Sequence, residues 1–262
     1  DWNDGVICAM NHTEFSTDAD GNFEIFIERE PKAGELHTEA DKPCCVVARH
    51  YCEETTAALA IPELRCEIDI ECLNDPGFPR PIKPQALSEK LRAAQVFITG
   101  QTLDRPMPGE AEPPSWFSMQ PNVLPTPEKF VPSEGGGAGA IDNTYCAGLV
   151  LLQADEALIV TGRWPNCVYG NVCYWNRYQQ NTDYRYRNGS LNRNQMRVND
   201  DGSFTFVVAH NDPGISNWLD TEGHMMGNIY FRFLMTEGEL VQPDCQVVKF
   251  DQLSHVLGAI DR

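Results

Sequence analysis

The chain has 262 residues, 42% of them hydrophobic and 10% aromatic, a globular composition long enough to bury a core of its own. Its formal net charge of −18 repels phosphate backbones and anionic lipid, which excludes nucleic acid and bare membrane as natural partners. No apolar run in the sequence approaches the length of a membrane span.

In chain order, the first feature is "DADGN" at 18–22. Asp18, Asp20 and Asn22 have the spacing of a calcium loop, but Phe23 and Arg29 occupy the positions where such a loop needs glycine and glutamate. Asp-Gly before an alternating apolar run is a hairpin turn instead. No cofactor is expected, and calcium is kept only as the minor alternative to this turn. Residues 76–142 stand apart: they hold twelve of the eighteen prolines and end in "SEGGGAGA". The one convincing helix, "PQALSEKLRAAQVFITG", lies inside this segment. Pro84 can open it, and Leu87, Leu91 and Ala94 recur at helical spacing.

Beyond residue 142 the pattern is that of strands. "EALIVTGR" and "CQVVKF" are short apolar runs bounded by turn residues. "SFTFVVAH" alternates Phe204, Phe206 and Val208 on one face, and "NIYFRFLM" alternates Ile229, Phe231, Phe233 and Met235. Many short strands separated by turn signals predict an all-β fold of β-sandwich or jelly-roll type.

The two flanks of the proline-rich segment resemble each other. Asp20, Gly21 and Phe23 fall on Asp201, Gly202 and Phe204, 181 residues on; Pro31 falls on Pro213, and Thr38, Glu39 and Arg49 fall on Thr221, Glu222 and Arg232, 183 residues on. This reads as a duplicated β-unit. The expected organisation is a partial β-unit at 1–75, a proline-rich connection with one helix at 76–142, and a complete jelly-roll-like domain at 143–262. The first copy lacks leading strands, so its sheet has an edge to cover. The proline-rich segment, another chain, or a removed propeptide could cover it.

Ten cysteines without a zinc-like Cys-x-x-Cys pattern favour disulfides and an oxidising compartment. Cys167 and Cys173 can pair only if Gly170–Asn171 turns the chain, because six extended residues span roughly 20 Å. Asn11 and Asn188 head glycosylation sequons. The chain starts at Asp1 with no signal-like segment, so a secreted protein would be a processed form.

For chemistry, the sequence has no Gly-x-Ser-x-Gly elbow, phosphate loop, dinucleotide fingerprint or His-Glu-x-x-His pattern. What it offers is the aromatic and amide-rich stretch 166–197, including Tyr174 and Tyr178, and the loop "NDPGISNWLDTEGHMMG" with His210 just before it. Aromatic faces, amides and guanidinium groups suit sugar recognition as well as a protein interface. The ligand-binding candidates are therefore Tyr174, Tyr178, His210, Asp212, Asn217, Trp218, Asp220 and His224. Parity places His210 on the inner face, where a satisfied core histidine is the commoner outcome. Asp212-Pro-Gly is a turn in which Asp212 bonds its own backbone. A metal site built from His210, Asp212, Asp220 and His224 ranks lowest.

"ALIVTGRWPNCVYGNVCYWNRY", "SLNRNQ", "DDGSFTFVVAHNDPG" and "NWLDTEGHMMGNIYFRF" together resemble the DUF1214 family over about residues 143–250. The resemblance implies a jelly-roll-like β fold and brings no established chemistry. "DGNFEIFI" and "VARHYC" resemble the region preceding that domain in members that extend further toward the N-terminus. The functional expectation is a secreted β-sandwich binding or assembly protein, a homo-oligomer or partner of another chain that completes the first sheet. The alternative is a carbohydrate-active protein, a lectin-like module or a glycoside hydrolase.

Overall fold

The computed structural model describes residues 5–30, 32–39, 44–54, 61–74, 77–78, 81–104, 112–131 and 139–260. Pro31, Asp41 and the glycine run 135–137 lie outside the described residues. The chain forms two compact units, one made of 1–64 with 114–262, the other of 65–113. Twelve strands and two α-helices are described in them, so the protein is all-β in character. No helix of the described residues is long and apolar enough to cross a membrane.

The smaller unit carries α1, Pro84–Thr102, over the stretch that the sequence singles out. Pro84 occupies the first turn, where its missing N–H costs nothing. Leu87, Leu91 and Ile98 are exposed along it.

The larger unit begins with two short strands, β1 (Ile27–Glu28) and β2 (Leu36–His37), which pair in parallel as Ile27↔Leu36 and Glu28↔His37. After the smaller unit come β3 (Phe117–Ser118), β4 (Glu128–Lys129), β5 (Asn143–Leu151), β6 (Glu156–Arg163), β7 (Tyr169–Asn176), β8 (Ser190–Asn192), β9 (Ser203–Ala209), β10 (Trp218–Asp220), β11 (Met226–Leu234) and β12 (Asp244–Lys249), followed by α2 (Leu253–Ile260). A six-stranded sheet runs β3-β5-β11-β7-β8, with β4 also on β5. A four-stranded sheet runs β10-β9-β6-β12.

The two sheets face each other across one apolar core. Period-two alternation decides which residues enter it. From the six-stranded sheet come Cys146, Val150, Val172, Tyr174, Ile229, Phe231 and Phe233; from the four-stranded sheet come Leu158, Val160, Phe204, Phe206, Val208 and Leu219. A smaller cluster lies on the back of the four-stranded sheet. There Leu253 and Val256 of α2 pack with Ile159, Val207 and Trp218.

No disulfide joins any of the ten cysteines, all of which lie among the described residues, against the expectation of disulfides. The reason is local for Cys167 and Cys173. β7 runs straight through Gly170–Asn171, so no turn brings the two together. Cys167 joins the core between the sheets, whereas Cys173 lies outside that cluster.

Residues 116–130 line the outer edge of β5. Ala147 donates to Trp116 O, Asn122 N to Leu149 O, and Phe130 N to Asn143 O. The Asn122 amide adds a two-way bond with the Leu151 backbone. Gly148 makes this close approach possible, because a Cβ there would stand 2.6 Å from Val123 O. Gly148→Ala is expected to push the strap off β5 and lower stability by roughly 1–3 kcal/mol, the usual range for overpacking. Equilibrium unfolding in urea measures it, and an unchanged midpoint would show that the strap has room to give.

Candidate functional site

The stretch from the end of β9 through β10 to the turn before β11 holds six of the eight candidates, and most of their polar groups have a local task. His210 Nδ1 meets Thr221 Oγ1 at 2.6 Å and its Nε2 meets Gln153 O at 3.2 Å, so the ring ties β9 to its neighbours. Asp212 is exposed and accepts the Gly214 N–H at 2.7 Å, the expected turn. Asn217 is buried and makes three backbone bonds: its amide donates to Arg197 O and Thr205 O, and its Oδ1 accepts Arg197 N–H. Trp218 donates from Nε1 to Ala209 O.

Asp220 is 2% exposed and accepts from Arg187 Nη1 at 3.0 Å and from Glu222 N–H at 2.7 Å. His224 contributes its backbone carbonyl, which accepts the Tyr174 hydroxyl at 3.0 Å. Tyr174 itself is fully buried, and burial pushes its phenol well above the ordinary value. Tyr178 is exposed under the Arg177 guanidinium.

These residues therefore form parts of a scaffold rather than one converging set. Among the described residues, no group of three or more His, Cys, Asp or Glu side chains is placed to hold a metal ion. Both sequon asparagines bond internally: Asn188 donates to Trp218 O, and Asn11 Oδ1 accepts from Thr13. At 18–22, Asp18 accepts the Asp20 and Asn22 backbone N–H groups and the Asn22 amide. The Asn22 contacts hold its carboxyl below the usual value.

A different set converges on the outer face of the six-stranded sheet. Where Ile229, Phe231 and Phe233 point inward, the alternate residues Asn228, Tyr230 and Arg232 point outward. β11 lies between β7 and β5, with Asn228 opposite Trp175 and Leu149, Tyr230 opposite Cys173 and Ala147, and Arg232 opposite Asn171 and Tyr145. The Trp175 and Tyr230 rings are 4.5 Å apart, and the Arg232 guanidinium lies 5.0 Å from the first and 5.3 Å from the second. Arg232 Nη1 donates to Cys173 Sγ at 3.3 Å. Burial raises the Cys173 thiol pKa, so it stays neutral beside this cation. Trp116 from the strap packs against Tyr145 and Tyr230.

The N-terminal segment closes one end of this face. The Tyr51 ring lies 5.0 Å from that of Tyr169, and Asn143 donates to the Tyr51 hydroxyl. Glu53 accepts the Gly170 N–H and pairs with Arg193 at 2.6 Å, and Glu54 O accepts from the Asn192 amide. Burial pushes the Tyr169 phenol up to about 12.

Residues 164–238 match the family model "Protein of unknown function (DUF1214)". The DUF1214 match thus spans β7 to β11 and contains Arg232, Tyr230, Trp175 and the eight ligand-binding candidates, while β5 and Trp116 of the Arg232 face lie outside it. No curated protein matches the chain. A crystal structure of an uncharacterized protein from Burkholderia cenocepacia is similar, at 25% identity and a TM-score of 0.67. The match covers 92% of this chain and 64% of that one, so this chain spans less than two thirds of that protein's length. A crystal structure of a Vibrio parahaemolyticus protein matches at 15% identity and a TM-score of 0.32, covering 65% of this chain and 47% of that one.

The residues that sequence reasoning passed over are Asn228, Tyr230 and Arg232. Their signal was present in the "NIYFRFLM" alternation, whose polar half reads as an ordinary solvent face until its neighbours on β7 are known. Tyr174 was chosen where the adjacent Cys173 and Trp175 carry the outward positions.

Proposed function

We propose that the protein is a β-sandwich binding and assembly protein built from two jelly-roll-type units, the first of which is completed by a second copy of this chain. The observation that carries the reading is a repeat in hydrogen-bond register. With the offsets of 181 and 183 residues, Ile27↔Leu36 and Glu28↔His37 fall on Val208↔Leu219 and Ala209↔Asp220. The bond from Thr38 N–H to Glu28 O falls on that from Thr221 N–H to Ala209 O. The turn bonds Asp18–Asn22 and Gly21–Asp18 fall on Asn199–Ser203 and Gly202–Asn199. Gly21 and Gly202 share a positive φ of 86° and 83°.

The two copies differ in burial. Phe204 and Val208 are 3% and 0% exposed, whereas their counterparts Phe23 and Ile27 are 39% and 47% exposed. Val46 and Val47 add to the exposed apolar surface. An apolar strand face without its opposing sheet is an interaction surface. Two such faces from two copies are self-complementary about a two-fold axis. The acidic composition and the sequons favour an extracellular setting for the assembly.

The test is light scattering of the chain across concentration, beside the variant Phe23→Asp with Ile27→Asp. The expected result is a concentration-dependent dimer that the double variant abolishes while its melting transition persists. A wild-type chain that stays monomeric up to about 100 µM, where even a weak protein contact of micromolar Kd would saturate, sinks the reading. A second reading, a carbohydrate-active protein, draws support from the aromatic and amide-rich outer face around Trp175.

A further inference from the structure

Six buried side-chain polar atoms have no hydrogen-bond partner among the described residues. Four of them belong to the outer face of the six-stranded sheet: Oδ1 of Asn143, Asn171 and Asn228, and Nε1 of Trp175. Native proteins satisfy nearly all such atoms, because each one left bare loses its hydration without compensation. Their sharing one face is therefore informative. Asn143 and Asn228 are only 2% and 3% exposed.

The cation among these atoms is also uncompensated. Arg232 lies beside the stacked pair Trp175 and Tyr230 and donates to a neutral thiol, and no carboxylate of the described residues pairs with it. Four other arginines of the larger unit do face a carboxylate: Arg163 has Asp201, Arg185 has Asp183, Arg187 has Asp220 and Arg193 has Glu53. A partly buried guanidinium without a counter-charge is a vacancy for an anion, and its planar fork suits a carboxylate. The amide oxygens need the opposite complement, hydroxyl donors.

We propose that the outer face of the six-stranded sheet around Arg232 binds a small hydroxylated carboxylate. The carboxylate lies on the Arg232 guanidinium, and the Asn171, Asn228 and Trp175 side chains, whose polar atoms are buried in the free chain, turn outward so that the amide oxygens accept from its hydroxyl groups and the indole N–H donates to a ligand oxygen. Two sources share this chemistry, an acidic sugar and a short hydroxy acid. The inference takes the choice of face from the carbohydrate reading and is independent of the assembly reading.

Calorimetric titration of the full chain with glucuronate, lactate, glucose and acetate tests it. The expected result is heat from glucuronate or lactate and little from glucose or acetate. Arg232→Met should weaken that binding by about tenfold or more, the scale of one charge-assisted contact. Asn228→Ala should melt at or above the wild-type temperature, because it removes an unsatisfied polar atom, yet bind more weakly. It keeps the test open should Arg232→Met fail to fold.

Binding of lactate without either sugar upholds the site and ends the carbohydrate reading. Glucose binding as tightly as glucuronate overturns the site and leaves the carbohydrate reading standing. No heat from either acid, or binding that survives both substitutions, also overturns it.

Discussion

Replacing Phe231 with alanine is expected to lower the unfolding free energy by about 4 kcal/mol, within the range for truncating a core phenylalanine. Phe231 is 1% exposed at the centre of β11, and its ring is 5.9 Å from Phe204, 5.8 Å from Phe206 and 5.6 Å from Phe233. Those neighbours come from both sheets, so neither sheet can close the cavity by moving alone. At this domain size the loss corresponds to a fall in melting temperature of about 10 °C. Denaturant unfolding followed by tryptophan fluorescence reads it. A loss below about 1.5 kcal/mol would mean that the core repacks as it does after conservative swaps.

The second large effect belongs to Asn217. This side chain satisfies Arg197 N–H, Arg197 O and Thr205 O at once, tying the β8–β9 connection to β9, while itself 7% exposed. Alanine would leave three backbone groups short of a partner, at about 1–3 kcal/mol for each one that water cannot reach. A total loss of about 3 kcal/mol is expected for Asn217→Ala, against less than about 0.5 kcal/mol for Asp212→Ala, whose exposed turn bond water replaces. Thermal melts of the two variants side by side decide the matter. Equal effects would contradict the division of that loop into one structural asparagine and one dispensable aspartate.

The contrast between those residues shows where the sequence was readable. Alternation placed Phe204, Phe206, Val208, Ile229, Phe231 and Phe233 correctly, because one face of each strand meets an apolar core; Met235, counted with them, lies past the end of β11 at a positive φ of 52° and outside that core. Pro84 and the spacing of Leu87 and Leu91 marked α1 for an equally local reason. The family match over 164–238 agrees with the resemblance seen in the strand motifs.

The roles of Asn217, Asp220 and His210 were not readable, because their partners Arg197, Arg187 and Gln153 sit 20, 33 and 57 residues away. The Arg232 face was hidden for the same reason. It arises where β11 inserts between β7 and β5, strands far from it in the chain. The cysteines misled because an even count carries no information on which face of a strand each thiol takes.

The strap along β5 has a consequence for solubility. Nine residues of β5 would present a flat row of unpaired donors and acceptors, the template on which fibrils grow. Residues 116–130 occupy that row with the short strands β3 and β4 and, between them, irregular backbone in which Pro121, Pro125 and Pro127 have no N–H to offer a further strand. The protein thus shields its longest vulnerable border with a stretch that cannot itself be extended, and a cut that released this stretch would turn a stable sheet into a seed.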